Sequence, residues 1–100
     1  MIRSPDTAVI AEIWGVILDR ADNPSPSSYT TRLLTDQKGI DKVLEKVGEE
    51  STEFVIAVKN SVGDRTVEEA ADLIFHLLVA LRAADIDLSD VMEELRKRRS

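Results

Sequence analysis

Two short acidic runs hold most of the chemistry in this sequence. The first is Glu49-Glu50-Ser51-Thr52-Glu53 and the second is Glu69-Ala70-Ala71-Asp72. Glu50 and Glu53 are three residues apart, as are Glu69 and Asp72, so within a helix each pair shares a face. If the two helices pair antiparallel across a short turn at Gly63, the four carboxylates converge. Carboxylate oxygens are the ligands of hard divalent cations such as magnesium and manganese. Without a cation the arrangement is costly. Glu45 with Glu49, and Glu49 with Glu53, are like charges at i,i+4, each pair destabilising a helix by ~0.2–0.5 kcal/mol. Asp72 directly precedes the most apolar stretch of the chain, where a buried carboxylate must protonate or find a partner. A divalent cation shared by several carboxylates removes both costs.

Each feature also has a plainer explanation. An acidic run on a helix is commonly a solvated face. Thr66-Val67-Glu68-Glu69 fits a capping box, in which Glu69 would only cap its helix. Asp72 has Arg65 or Lys46 as possible ion-pair partners. His76 fits a satisfied core histidine better than a ligand. Tyr29 and Arg32 can be read as loop packing, and the basic run 96–99 as a complement to a helix dipole. Gly48 falls inside a helix at a cost of ~1 kcal/mol relative to Ala. Close approach of another chain or a ligand would account for it, as would simple tolerance. Both acidic clusters occurring in one all-helical chain is what favours a metal site.

The elements that must position these residues are helical throughout. A first helix is expected over 6–19, capped by Ser4 with Pro5 at its first position. It carries Val9, Ile10, Ile13, Trp14 and Ile17 at helical spacing. A loop over 22–39 follows, rich in hydroxyl and other donor groups from Ser27 to Arg32, and long enough to be functional. A second helix over 40–60 presents Ile40, Val43, Leu44, Val47, Phe54, Val55 and Val58 as an apolar stripe, with Glu50 at its edge. A third, over 66–84, is apolar almost all round between Leu73 and Ala84. Four short helices cannot easily surround it, so a homodimer is expected. A fourth follows Asp87 as N-cap. The fold class is all-α, a four- to five-helix bundle-like domain over residues 1–100.

Composition narrows the function. The 100 residues carry 13 Lys+Arg against 19 Asp+Glu, a net charge of −6. Without Glu49, Glu50, Glu53, Glu69 and Asp72 the balance is 13 against 14, so the excess acidity sits in the two clusters. This argues against broad contact with nucleic-acid backbone or anionic lipid. Absence of Cys excludes disulfides, thiolate zinc sites and cysteine nucleophiles, and a single His excludes a histidine-rich metal site within one chain. Neither a signal peptide, a membrane span nor a lipidation signal is legible, so a soluble cytoplasmic protein is expected.

Taken together, E-E-x-x-E followed by E-x-x-D resembles the metal-binding signature of the all-α nucleoside-triphosphate pyrophosphatase superfamily. In detail the chain resembles the phosphoribosyl-ATP pyrophosphohydrolase family. The supporting stretches are Ser28-Tyr29-Thr30, Lys46-Val47-Gly48-Glu49-Glu50, Glu53 with Ala57, Glu69-Ala70-Ala71-Asp72-Leu73, His76-Leu77-Leu78-Val79 and Glu94-Leu95-Arg96 with Arg98. Phe75 departs from the pattern, standing where the family often has Tyr. The resemblance implies a stand-alone enzyme of the second step of histidine biosynthesis. It would hydrolyse phosphoribosyl-ATP to phosphoribosyl-AMP and pyrophosphate with magnesium, manganese being an alternative. It implies Glu50, Glu53, Glu69 and Asp72 as metal ligands and Glu49 as a catalytic residue, orienting the attacking water or holding a second ion. Lys46, one turn before Glu50, is expected on a phosphate oxygen, and Tyr29, Thr30 and Arg32 on other polar groups of the substrate. Two rivals are a housecleaning pyrophosphatase for non-standard nucleoside triphosphates and a non-enzymatic helical interaction module.

Overall fold

The computed structural model describes residues 2–99. Five helices follow in order: α1 (Ala8–Asp22), α2 (Tyr29–Leu34), α3 (Ile40–Lys59), α4 (Gly63–Ala83) and α5 (Leu88–Arg98). Among the described residues there is no strand.

The frame is the hairpin of α3 and α4. Only residues 60–62 join them, so the two long helices return antiparallel and pack along each other. Ser61 closes the turn in the left-handed region at φ 56°. Its amide donates to the Val58 carbonyl, and the amide of Val62 donates to that of Ala57. That is the Schellman arrangement, which satisfies carbonyls left bare at a helix end. Asp85 (φ 57°) repeats it after α4, with amides of Asp85 and Ile86 donating to Arg82 and Leu81.

The remaining helices cover one end of this hairpin. Ile17 of α1, Leu33 of α2, Val43 of α3, Leu78 and Val79 of α4 and Leu88 of α5 are buried together. Trp14, Phe75, Leu81 and Met92 pack around them. Elsewhere the hairpin is bare. Leu44, Val55 and Val58 on α3 and Ile74 and Leu77 on α4 are about half exposed.

Four local expectations need correction. The first helix begins at Ala8, not at 6. Its entry is held by the Asp6 carboxylate, which accepts from the Ala8 amide, rather than by a Ser4 cap. The loop 22–39 contains α2, which Ser28 caps by accepting from the Thr31 amide. The turn expected at Gly63 lies at 60–62, and Gly63 is the first residue of α4. Thr66 is therefore inside α4, where its hydroxyl donates to the Val62 carbonyl, so the capping box does not form. The third helix starts three residues earlier than its apparent cap because the Schellman turn already fixes the chain there. Asp87 does cap the last helix, accepting from the Ser89 amide.

Candidate metal centre

Val43, Glu50 and Ala57 form the buried line of α3, and Glu69 and His76 lie in the buried line of α4. In both helices the spacing is seven residues, close to two full turns, so each set lies along one side. A carboxylate thus sits in the inner seam of each long helix. One carboxylate oxygen from each of Glu50, Glu69 and Asp72 lies within 4.8 Å of the other two. Glu50 and Glu69 are buried and Asp72 opens to solvent.

The charges around this group are only half compensated. Glu50 Oε1 is 3.6 Å from Lys46 Nζ, and Glu69 Oε1 is 2.8 Å from a guanidinium nitrogen of Arg65. Their other oxygens, Glu50 Oε2 and Glu69 Oε2, are buried with no hydrogen-bond partner. Buried acceptors without donors are expensive. Two such oxygens beside a third carboxylate make an all-oxygen donor set suited to a hard cation. In the metal-free chain protonation relieves part of this cost. The neighbouring Glu53 carboxyl, aided by burial, pushes Glu69 up to about 7, while Arg65 opposes the shift.

The other expected site residues fall into two places. Glu53 is exposed and adjoins Glu69, outside the three-carboxylate group. Glu49 is exposed and accepts from Lys46 Nζ at 3.1 Å. That bond holds Glu49 below the usual carboxylate range and raises Lys46. Lys46 therefore bridges Glu49 and Glu50. Tyr29 stands at the start of α2 with its hydroxyl 3.0 Å from His76 Nε2. Burial raises the Tyr29 hydroxyl pKa, with Lys46 opposing and Glu50, Glu49 and Asp72 adding, which places it within electrostatic reach of the acidic group. The Arg32 guanidinium is 5.8 Å from the Tyr29 ring centroid, a cation–π distance. Thr30 is buried, so the fold does not bring it to the surface of the site.

Two residues of the site were not singled out for it. Arg65 lies four before Glu69 and pairs with it, not with Asp72. His76 lies four after Asp72 and is buried, with both ring nitrogens engaged. The i,i+4 spacing to each acidic residue was the available signal. At Gly48 no atom lies within 4 Å of where a Cβ would stand, so the chain's own packing does not demand glycine there. A shallow depression of about 480 Å³ opens beside it, lined by Glu45, Gly48, Glu49, Thr52 and Glu53.

Comparisons with known proteins show which family the chain resembles. The family model described as phosphoribosyl-ATP pyrophosphohydrolase matches residues 11–99. A protein of Methanoregula boonei named phosphoribosyl-ATP pyrophosphatase is 71% identical over 94 residues, covering 94% of this chain and 90% of its own length. A Methanosphaerula palustris protein of the same name is 64% identical, covering 94% and 95%. One from Clostridium novyi is 46% identical over 91 residues, covering 91% and 81%. The matched region takes in both acidic runs, the Ser28-Tyr29-Thr30 segment and all five helices but for the start of the first. With this extent and identity, the chain belongs to the phosphoribosyl-ATP pyrophosphohydrolase family.

Proposed function

We propose that the chain hydrolyses phosphoribosyl-ATP to phosphoribosyl-AMP and pyrophosphate, the second step of histidine biosynthesis. The observation that carries the site is the convergence of Glu50, Glu69 and Asp72 with two buried, unpartnered oxygens. These three residues would hold magnesium, or manganese in its place, with Glu53 completing the set. A cation held by them would supply neutralisation of triphosphate charge and Lewis-acid polarisation of a phosphoryl oxygen. Lys46 binds a phosphate oxygen once that oxygen competes with Glu49 for its ammonium group. Glu49, released from Lys46, accepts a hydrogen bond from the attacking water and orients it. Tyr29 and Arg32 line the substrate side from α2, and Thr30 supports them from beneath.

The working unit in this reading is a homodimer of a single domain spanning residues 1–100. The exposed Leu44, Val55, Val58, Ile74 and Leu77 support it, being a surface that a second copy would cover.

The test is pyrophosphate release from phosphoribosyl-ATP with and without magnesium, beside ATP and a panel of deoxynucleoside triphosphates. Magnesium-dependent release from phosphoribosyl-ATP alone is expected. Release from the other nucleotides instead would keep the cation site and discard the substrate. No release from any of them would return the carboxylates to a non-enzymatic role.

A further inference from the structure

His76 is the chain's single histidine, and it is 4% exposed. Its Nδ1 is 2.7 Å from the backbone carbonyl oxygen of Asp72, and its Nε2 is 3.0 Å from the Tyr29 hydroxyl. A carbonyl oxygen only accepts, so Nδ1 carries the proton. In a neutral ring Nε2 is then a bare lone pair, and Tyr29 is the donor. The Tyr29 ring is packed from two further directions. It stacks on Phe75 with centroids 6.1 Å apart and meets the His76 ring edge-on at 5.8 Å. The Phe75 and His76 rings are themselves edge-to-face at 5.1 Å. One short segment of α4 thus supplies a carboxylate of the cation site at Asp72 and a clamp on a residue 47 positions away.

Resting on the function proposed above, we infer that His76 is a positioning residue. It fixes the Tyr29 hydroxyl with its proton already committed, so that the oxygen faces substrate as a hydrogen-bond acceptor. The partner such an oxygen reads is a hydroxyl or amino group of the nucleotide, not a phosphate oxygen, which is itself an acceptor. Leu33 and the Ser28 cap anchor the six-residue helix itself, and the clamp fixes the direction of the tyrosine at its first position. The bond to the Asp72 carbonyl sets the imidazole tautomer. The tautomer sets the direction of the Tyr29 bond, and the rings of Phe75 and His76 set its angle.

The role can be separated from simple packing by two asparagine-class substitutions. In His76→Asn the side-chain amide can still reach the Asp72 carbonyl but not Tyr29. In His76→Gln a polar group is placed near the lost Nε2 and can still meet the hydroxyl. Expected for His76→Asn and for Tyr29→Phe is a rise of about tenfold in KM for phosphoribosyl-ATP with kcat little changed, the loss of roughly one hydrogen bond. His76→Gln is expected to restore most of it. The double variant Tyr29→Phe with His76→Asn is expected to be no worse than either alone, since both remove the same contact. Additive losses, or unchanged KM in the single variants, would overturn the proposal. So would equal impairment by Asn and Gln.

A second measurement does not depend on activity. Nitrogen-15 spectra of the lone imidazole are expected to show the Nδ1–H tautomer, with the Nε2 resonance moving in Tyr29→Phe. An Nε2–H tautomer overturns the hydrogen-bond chain outright. If the wild type released no pyrophosphate while showing the Nδ1–H tautomer, the proposed function and the substrate-facing part of this inference would fall together. The clamp itself would stand.

Discussion

At the scale of residues, each member of the acidic group has a distinct burden. Asp72 is the solvent-side carboxylate and has no ion pair among the described residues, so its charge is the one most free to meet a cation. Asp72→Asn should lower magnesium-dependent turnover by about 100-fold or more, since even a residue that only orients a ligand is worth roughly 10–100-fold. A circular-dichroism melt should show the fold intact. Glu69 gives a pH signature. Its native pKa, about 7, lies above the ordinary carboxylate range, chiefly through Glu53. The native state therefore holds a proton more tightly than the unfolded chain does. That contribution is complete below the unfolded value and is lost as pH rises toward and past 7. The thermal midpoint of the chelated protein should fall between about pH 5 and pH 8, and Glu69→Gln should flatten that slope. The acidic residues were legible in the sequence because their types and spacing are sufficient to suggest a site. The burial of Glu50 was legible only as a position at the stripe's edge. The Arg65 and Tyr29 contacts were not legible, since they depend on where α4 begins and where α2 sits.

At the scale of elements, both long helices were read from periodicity extending over five turns or more, α3 to within a residue and α4 with its start three residues late. The errors lie at the ends, where short-range hydrogen bonds decide. Thr66 looked like a cap, but a Schellman turn through Ser61 had already started α4. The short helix α2 was hidden among Ser, Thr and Pro, which favour turns, and its formation depends on the Ser28 cap and the buried Leu33. Two glycines make opposite predictions. Gly39 is at φ 62°, ψ −139° at the head of α3, a conformation that L residues avoid. Gly39→Ala should destabilise the chain by about 1–3 kcal/mol in urea denaturation. Gly48 is in regular helix with open space beside it, so Gly48→Ala should stabilise by about 1 kcal/mol in the same assay. Loss of activity in that stabilised variant would identify the face at Gly48 as one that receives substrate or a second copy.

At the scale of the whole molecule, the apolar character of the third predicted helix has a clear structural counterpart. Its Leu78 and Val79 are enclosed by α1, α2 and α5, while Ile74 and Leu77 remain about half exposed. The sequence could show that this helix needs cover on most sides, but not which sides one chain provides. Leu77→Glu should shift the proposed dimer toward the 11.1 kDa chain mass in light scattering and leave helicity unchanged. Among the described residues no helix is long and apolar enough to cross a membrane. The two buried oxygens without donors, Glu50 Oε2 and Glu69 Oε2, have a consequence beyond chemistry. They make the empty native state poorer than the filled one, so a cation that binds only the folded chain drains the opened population by mass action. At a hundred times its dissociation constant it adds about 2.7 kcal/mol. Protease digestion under native conditions should therefore slow as magnesium rises, in the complete absence of nucleotide. Ion supply would govern how long each copy of the chain survives as well as how fast it turns over.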